Sequence, residues 1–283
     1  MQKIAIGFIG GGNMARSLIA GLIASDFDAN RIWVCDRNEA KCDYFSQKYQ
    51  INATEDAKIL AEHCQAIVLA VKPMHMAEVA VDIASIIKVK KPLIISIAAG
   101  IPLTTLESWY GSTMPIVRAM PNTPALVQCG ATGLCHNGNL ADQQVSQAEQ
   151  ILRSCGVITW VEDESLVDVV TAVSGSGPAY FFRVMELIAD IAVELGLTEE
   201  QAQLFTVQTA YGASRMALES SKPLSHLREQ VTSKGGVTQV ALDVFEKHHL
   251  RDMLKEVLTE NIKHSGVLAD SYREMPKLDY NQS

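Results

Sequence analysis

The sequence predicts an α/β protein: a doubly wound parallel sheet over residues 1–162, followed by an all-α domain over residues 163–283. Three observations predict it. An apolar run meets a glycine cluster at the N-terminus, strand-like and helix-like patterns then alternate as far as residue 161, and no convincing strand follows Glu162.

The alternation starts from KIAIGFIGGGNMA, residues 3–15. Ile4, Ile6, Phe8 and Ile9 suit a strand buried on both faces of a parallel sheet. Gly10, Gly12 and Ala15 match the G-x-G-x-x-G/A spacing that joins such a strand to a helix in dinucleotide-binding units. Gly10 permits the tight turn, Gly12 lets a pyrophosphate approach the backbone, and Ala15 lets the helix pack close to the strand. The first helix should end near Ser25, and RIWVCD (31–36) reads as the second strand. Asp36 then stands about twenty residues beyond the fingerprint, where a carboxylate accepts hydrogen bonds from ribose hydroxyls. Arg37 beside it could instead meet a 2′-phosphate, so the pair leaves NADH and NADPH open.

Helical patterns at 38–49 and 54–62 lead to the strand QAIVLAV (65–71), which Lys72 and Pro73 end at the sheet edge where open α/β sheets bind ligands. A helix at 76–86 and a strand at 93–97 follow, then a small-residue turn of Ala98, Ala99 and Gly100. Short strands at 115–120 and 133–136 flank Pro121, Asn122, Thr123 and Pro124, a rigid loop suited to presenting backbone groups to a ligand. A helix at 142–154 and a strand at 157–161 complete this half.

Beyond it the chain reads as helices at 165–173, 178–195, 198–220, 224–231, 237–248 and 251–272. Within 178–195 the polar residues Arg183, Glu186, Asp190 and Glu194 form one narrow stripe in an otherwise apolar surface. A helix so apolar must be buried nearly all round, and the remaining helices are too few to wrap it, so a partner chain is expected. The tail from Met275 is polar and expected to fray.

Composition limits the function. The 283 residues carry a net charge of −8, with 13 basic against 14 acidic residues in 1–162 and 11 against 18 in 163–283. Nothing resembles the basic face that neutralising phosphates requires, so nucleic acid is not an expected partner. No run approaches the length of a membrane span and no signal-type segment opens the chain, so a membrane is not expected either and a cytoplasmic location is. The six cysteines show no C-x-x-C and no histidine at ligand spacing, so they read as free thiols and no metal site is expected.

Two stretches of the helical half are not explained by packing: Ser174, Gly175, Ser176, Gly177 and Pro178 before the apolar helix, and Thr232 to Thr238 (TSKGGVT) between two others. Both offer hydroxyls and backbone N–H groups at helix N-termini, the equipment for holding a small carboxylate. AVSGSGPAY (172–180) and VTSKGGVTQVAL (231–242) resemble the two most diagnostic motifs of pyrroline-5-carboxylate reductases, with FIGGGNMA, AVKP and RAMPNTPALV in matching order along essentially the whole chain.

The resemblance implies an N-terminal Rossmann domain, a helical domain interlocked with its mate in a homodimer, and assembly of dimers into a ring. It implies reduction of 1-pyrroline-5-carboxylate, an imino acid, to L-proline, with NADPH as cofactor and NADH as the alternative. Expected cofactor contacts are Ile9, Gly10, Gly11, Gly12, Asn13, Met14, Asp36, Arg37, Ala70, Val71, Lys72, Pro73, Ala98, Ala99, Gly100 and Asn122. Around the substrate it implies Thr171, Ser174, Gly175, Ser176, Gly177, Ser233, Gly235, Gly236 and Thr238, with Lys234 standing where many members have proline. Thr238 is the candidate for a hydrogen bond to the ring nitrogen or carboxylate. Two other readings stay open: a related dehydrogenase acting on a β-hydroxy acid, which would want a lysine base on a helix that here offers only Arg183, or on another cyclic imine; and a nucleotide sensor without turnover.

Overall fold

A computed structural model describes residues 4–273. Strands and helices alternate from the N-terminus: β1 (Ile6–Ile9), α1 (Asn13–Ala24), β2 (Ile32–Cys35), α2 (Glu39–Tyr49), β3 (Asn52–Thr54), α3 (Ala57–His63), β4 (Ala66–Leu69), α4 (Met76–Lys90) and β5 (Leu93–Ser96). Then come α5 (Leu103–Tyr110), β6 (Ile116–Met120), β7 (Gly130–His136), α6 (Asp142–Arg153) and β8 (Gly156–Trp160). All eight strands join one sheet in the order β3-β2-β1-β4-β5-β6-β7-β8. The order reverses at β1, which lies between β2 and β4, and such a switch point leaves a crevice at the carboxyl ends of the strands.

Alternate residues of each central strand feed two cores. Phe8 and Val68 face one with Leu18, Ile19 and Phe45, while Ile9, Ile67 and Leu69 face the other with Leu60, Met76 and Trp109. Both faces are covered, so β1 and β4 are buried at every position.

The structure departs from the sequence expectation in three places here. β7 runs antiparallel to β6, because the nine residues between them hold only a 3-10 turn (Thr123–Val127), shorter than a parallel crossover needs. β3 is a three-residue edge strand, Asn-Ala-Thr, with no apolar run to reveal it, and it takes the start of the expected 54–62 helix, which begins instead at Ala57. α5 begins after Pro102 and buries Trp109, although its sequence LTTLESWY holds two threonines that weaken a helical reading.

After β8 the chain is helical: α7 (Ser165–Val170), a π-helical turn (Thr171–Gly175), α8 (Gly177–Glu194), α9 (Glu199–Glu219), α10 (Leu224–Gln230), α11 (Val237–Lys247) and α12 (Leu250–Arg273). Among the described residues strands cease at Trp160, and compactness divides the chain into two units. One unit runs to Ser176 and resumes from Glu260; the other is Gly177–Thr259. In the second unit α8 packs on α9, Thr198 caps α9 through a capping box with Gln201, and large apolar side chains stand open along α8. The tail from Met275 lies outside the described residues.

Candidate functional site

A cavity of about 580 Å³ opens at the carboxyl ends of β1, β2 and β4 in the first unit. Gly10 makes the turn out of β1 at φ 104°, where its N–H donates to the Cys35 carbonyl at 2.8 Å. A Cβ at Gly10 would come within 2.7 Å of the Ala70 carbonyl oxygen, so both backbone angle and space demand glycine. Gly12 is the N-cap of α1 and offers no side-chain cap, which leaves first-turn N–H groups of α1 for an anion. A Cβ built on Gly12 meets no atom within 4 Å. The residues therefore form a cradle with room beside its backbone, which fits the pyrophosphate of a dinucleotide.

In the same lining, against the glycine turn, the Asp36 carboxylate is held on three sides. Oδ2 accepts from Gly11 N at 2.9 Å and from Lys41 Nζ at 2.8 Å, and Oδ1 accepts from Asn38 N at 3.0 Å. Burial pulls this carboxyl upward, but the Lys41 ammonium and the two backbone donors outweigh it and hold Asp36 below the usual carboxylate range. Arg37 points its Nη2 at Glu78 Oε1, 2.6 Å away on α4. Cys35 also lines the cavity, and burial pushes its thiol up to about 12, so it is no nucleophile at neutral pH.

Of the residues expected to hold a cofactor, Ile9, Gly10, Gly12, Asp36, Arg37, Ala70, Val71 and Lys72 line this cavity. Gly11, Asn13, Met14 and Pro73 adjoin them in sequence without lining it. Ala98, Ala99 and Gly100 form the turn after β5, away from the lining, and a Cβ at Gly100 would stand 3.1 Å from the Tyr272 ring. Asn122 is buried, and its side chain works inside the protein: Oδ1 accepts from Ala131 N at 2.9 Å and Nδ2 donates to the Ser174 carbonyl at 3.0 Å. Lys41, Glu55, Asp56, Lys58, His75 and Asp82 line the cavity although the sequence did not single them out. Lys41 was within reach of sequence reasoning, since it sits in the first turns of the helix that follows Asp36.

The stretch 174–177 is not the free helix N-terminus that its small residues suggest. It continues α7 as a π-helical turn, with Ser176 N donating to the Thr171 carbonyl at 2.8 Å. Thr171 and Ser174 turn their hydroxyls back onto the Val167 and Val170 carbonyls, at 2.8 and 3.0 Å. Ser176 Oγ accepts from Asn261 Nδ2 at 3.0 Å, and Gly175 lies against Met120. Gly177 opens α8.

In the second unit Gly236 is the N-cap of α11, again without a side-chain cap, so the N–H groups of Val237 and Thr238 face outward from a helix start. Gly236 N donates to the Ser233 carbonyl at 3.0 Å, and a Cβ there would collide with Ser233 Oγ. Lys234 is exposed at this turn beside Gly235.

The sequence reading also passed over Arg118, an arginine in the middle of an apolar strand. It is 5% exposed, with Nη1 on Glu164 Oε1 at 2.7 Å and Nη2 on Asp168 Oδ1 at 3.3 Å. Glu164 Oε1 also accepts from Leu103 N at 2.7 Å, and Asp168 Oδ1 from Ser265 Oγ at 2.9 Å. This buried network anchors α7, the helix that the π-turn continues.

Comparison with known proteins bears on both halves. A family model described as pyrroline-5-carboxylate reductase dimerisation matches residues 164–268, and one described as NADP oxidoreductase coenzyme F420-dependent matches residues 5–100. The chain is 41% identical over 270 residues to the pyrroline-5-carboxylate reductase of Pseudomonas aeruginosa, covering 95% of this chain and 98% of that one. The Escherichia coli enzyme of the same name is 37% identical over 272 residues, covering 96% and 100%. Among solved structures, a pyrroline-5-carboxylate reductase from Coxiella burnetii superposes with a TM-score of 0.92 at 42% identity, covering 95% and 99%. A pyrroline carboxylate reductase from Plasmodium falciparum with NADP bound superposes at 0.82 with 30% identity and the same coverage.

Proposed function

The chain belongs to the pyrroline-5-carboxylate reductase family, and from that premise we propose which of its residues carry the reaction. It is an NAD(P)H-dependent oxidoreductase that reduces the C=N bond of 1-pyrroline-5-carboxylate to give L-proline. When bound, the reduced nicotinamide supplies the hydride. The chain's own task is positioning. Gly10, Gly12 and the first turn of α1 cradle the pyrophosphate, while Asp36 receives the ribose and Ala70 to Lys72 border the dinucleotide. The observation that carries this reading is the space beside Gly12, where an added Cβ meets nothing.

The turn from Ser233 to Gly236 and the start of α11 hold the substrate carboxylate through backbone N–H groups, with Thr238 donating to the carboxylate or facing the ring nitrogen. A cyclic imine is basic enough to take its proton before reduction, so the site needs no strong acid. Thr171 and Ser174 to Gly177 are further substrate contacts in this reading, with Asn122 holding the π-turn at Ser174.

The chain works as a homodimer, and dimers assemble further into a ring, in the cytoplasm. The dimerisation match over 164–268 and the apolar side chains open along α8 support the first step.

The test is loss of reduced-nicotinamide absorbance on adding 1-pyrroline-5-carboxylate, run beside Gly12→Val. Turnover is expected from the unaltered chain. The valine should fill the cradle and weaken cofactor binding at least about a hundredfold, while the thermal midpoint stays put. Retained binding by the variant would sink the cradle assignment.

A further inference from the structure

The ribose end of the cavity carries an inference that rests on the dinucleotide reading and goes beyond it. A carboxylate offers about four acceptor positions, two on each oxygen. At Asp36, Gly11 N and Lys41 Nζ take the pair on Oδ2, and Asn38 N takes one on Oδ1. One position remains, and a hydrogen-bond donor fills it. A ribose 2′-hydroxyl can donate there. A 2′-phosphate dianion cannot, and it would set its charge against a carboxylate whose partners keep it ionised.

Two of the cations in this lining are already engaged. Lys41 is bound to Asp36, and the Arg37 guanidinium is 2.6 Å from Glu78. Glu55, Asp56 and Asp82 add negative charge to the same lining, against Lys58 and Lys72. A phosphate-binding pocket would need a surplus of free cationic donors, and this lining balances its cations with acids.

We infer that Asp36, neutralised by Lys41 and already holding Gly11 and Asn38, selects a free 2′-hydroxyl, so that this chain takes NADH in preference to NADPH.

Dissociation constants for the two reduced dinucleotides, measured by nicotinamide fluorescence on the full purified chain, test this without requiring turnover. NADH should bind at least about tenfold tighter. Asp36→Ser should weaken NADH, strengthen NADPH, and move the ratio by tenfold or more. Lys41→Met, which leaves Asp36 uncompensated, should widen the preference for NADH. Tighter binding of NADPH, an unmoved ratio in Asp36→Ser, or a narrowed preference in Lys41→Met would each overturn the ribose assignment. Failure of the unaltered chain to bind either dinucleotide would overturn the cofactor site on which it rests.

Discussion

Phe8 and Phe181 are the same residue under opposite conditions: Phe8, in the sheet unit, is fully buried, and Phe181, on α8, is 70% exposed. The contrast holds across the two units. β1, β4 and β5 are buried at every position, whereas among the described residues 177–259 only Gly177, Ala202 and Thr206 are buried. The sheet unit closes over its central strands by itself. The helical unit leaves Phe182, Ile188 and Ile191 at least half exposed, a surface that a second copy of the chain would cover. Two arginines make the same point in polar terms. Arg118 and Arg183 lie 2.7 and 2.8 Å from glutamates, but Arg118 is enclosed and Arg183 is in water.

The largest effect should therefore come from Arg118. Replacing it with alanine strands Glu164 and Asp168 in a half-buried site, and urea unfolding should register a loss of about 3–5 kcal/mol. Arg183→Ala should leave the unfolding midpoint of the dissociated chain unmoved, and equal losses in the two variants would break the contrast.

Next in size is Phe181→Asp, a charge on the open apolar face of α8. Sedimentation should show self-association weakened about thirtyfold or more, with the sheet unit still folded. Self-association unchanged by the variant would mean that α8 is not the contact.

A smaller effect separates the units by chemistry. Thr238→Ala in the helical unit should lower kcat/KM for the imine about tenfold, with dinucleotide affinity held, the converse of Gly12→Val. An unaffected rate would remove Thr238 from the substrate site.

The mildest test uses thiols, all six of which lie before residue 163. Burial pushes Cys35, Cys64 and Cys135 up to about 12 and Cys155 to about 11, and Cys129 alone is exposed. Thiolate forms only as pH rises toward those values, so at pH 8 one thiol per chain should react with a maleimide. A second reacting promptly would show that the sheet unit opens more readily than its packing implies.

Much of this was legible in the sequence where local chemistry decides conformation. The glycines of FIGGGNMA announce a turn that needs φ 104° at Gly10, and the apolar runs of β1 and β4 announce burial on two faces. What stayed hidden depends on partners distant in sequence. The direction of β7 follows from the length of a loop, and β3 exists only because β2 offers an edge to Asn52. The bond from the Ser174 hydroxyl to Val170, and the bridge that the Asn122 amide makes between Ala131 and Ser174, join partners that no local pattern shows. Arg118 finds its two carboxylates only when α7, 46 and 50 residues further on, packs against its strand.

The hydrogen bond from Ser265 to Asp168 also sets a timetable. The two residues are 97 apart in sequence, and a ribosome adding 5–20 residues per second takes roughly 5–20 s to cover that distance. During that interval the nascent sheet can form and Arg118 can meet its acids, but the serine that completes the arrangement has not yet been made. A unit that begins with the first strand and closes with the last helix cannot finish folding on the ribosome ahead of its neighbour.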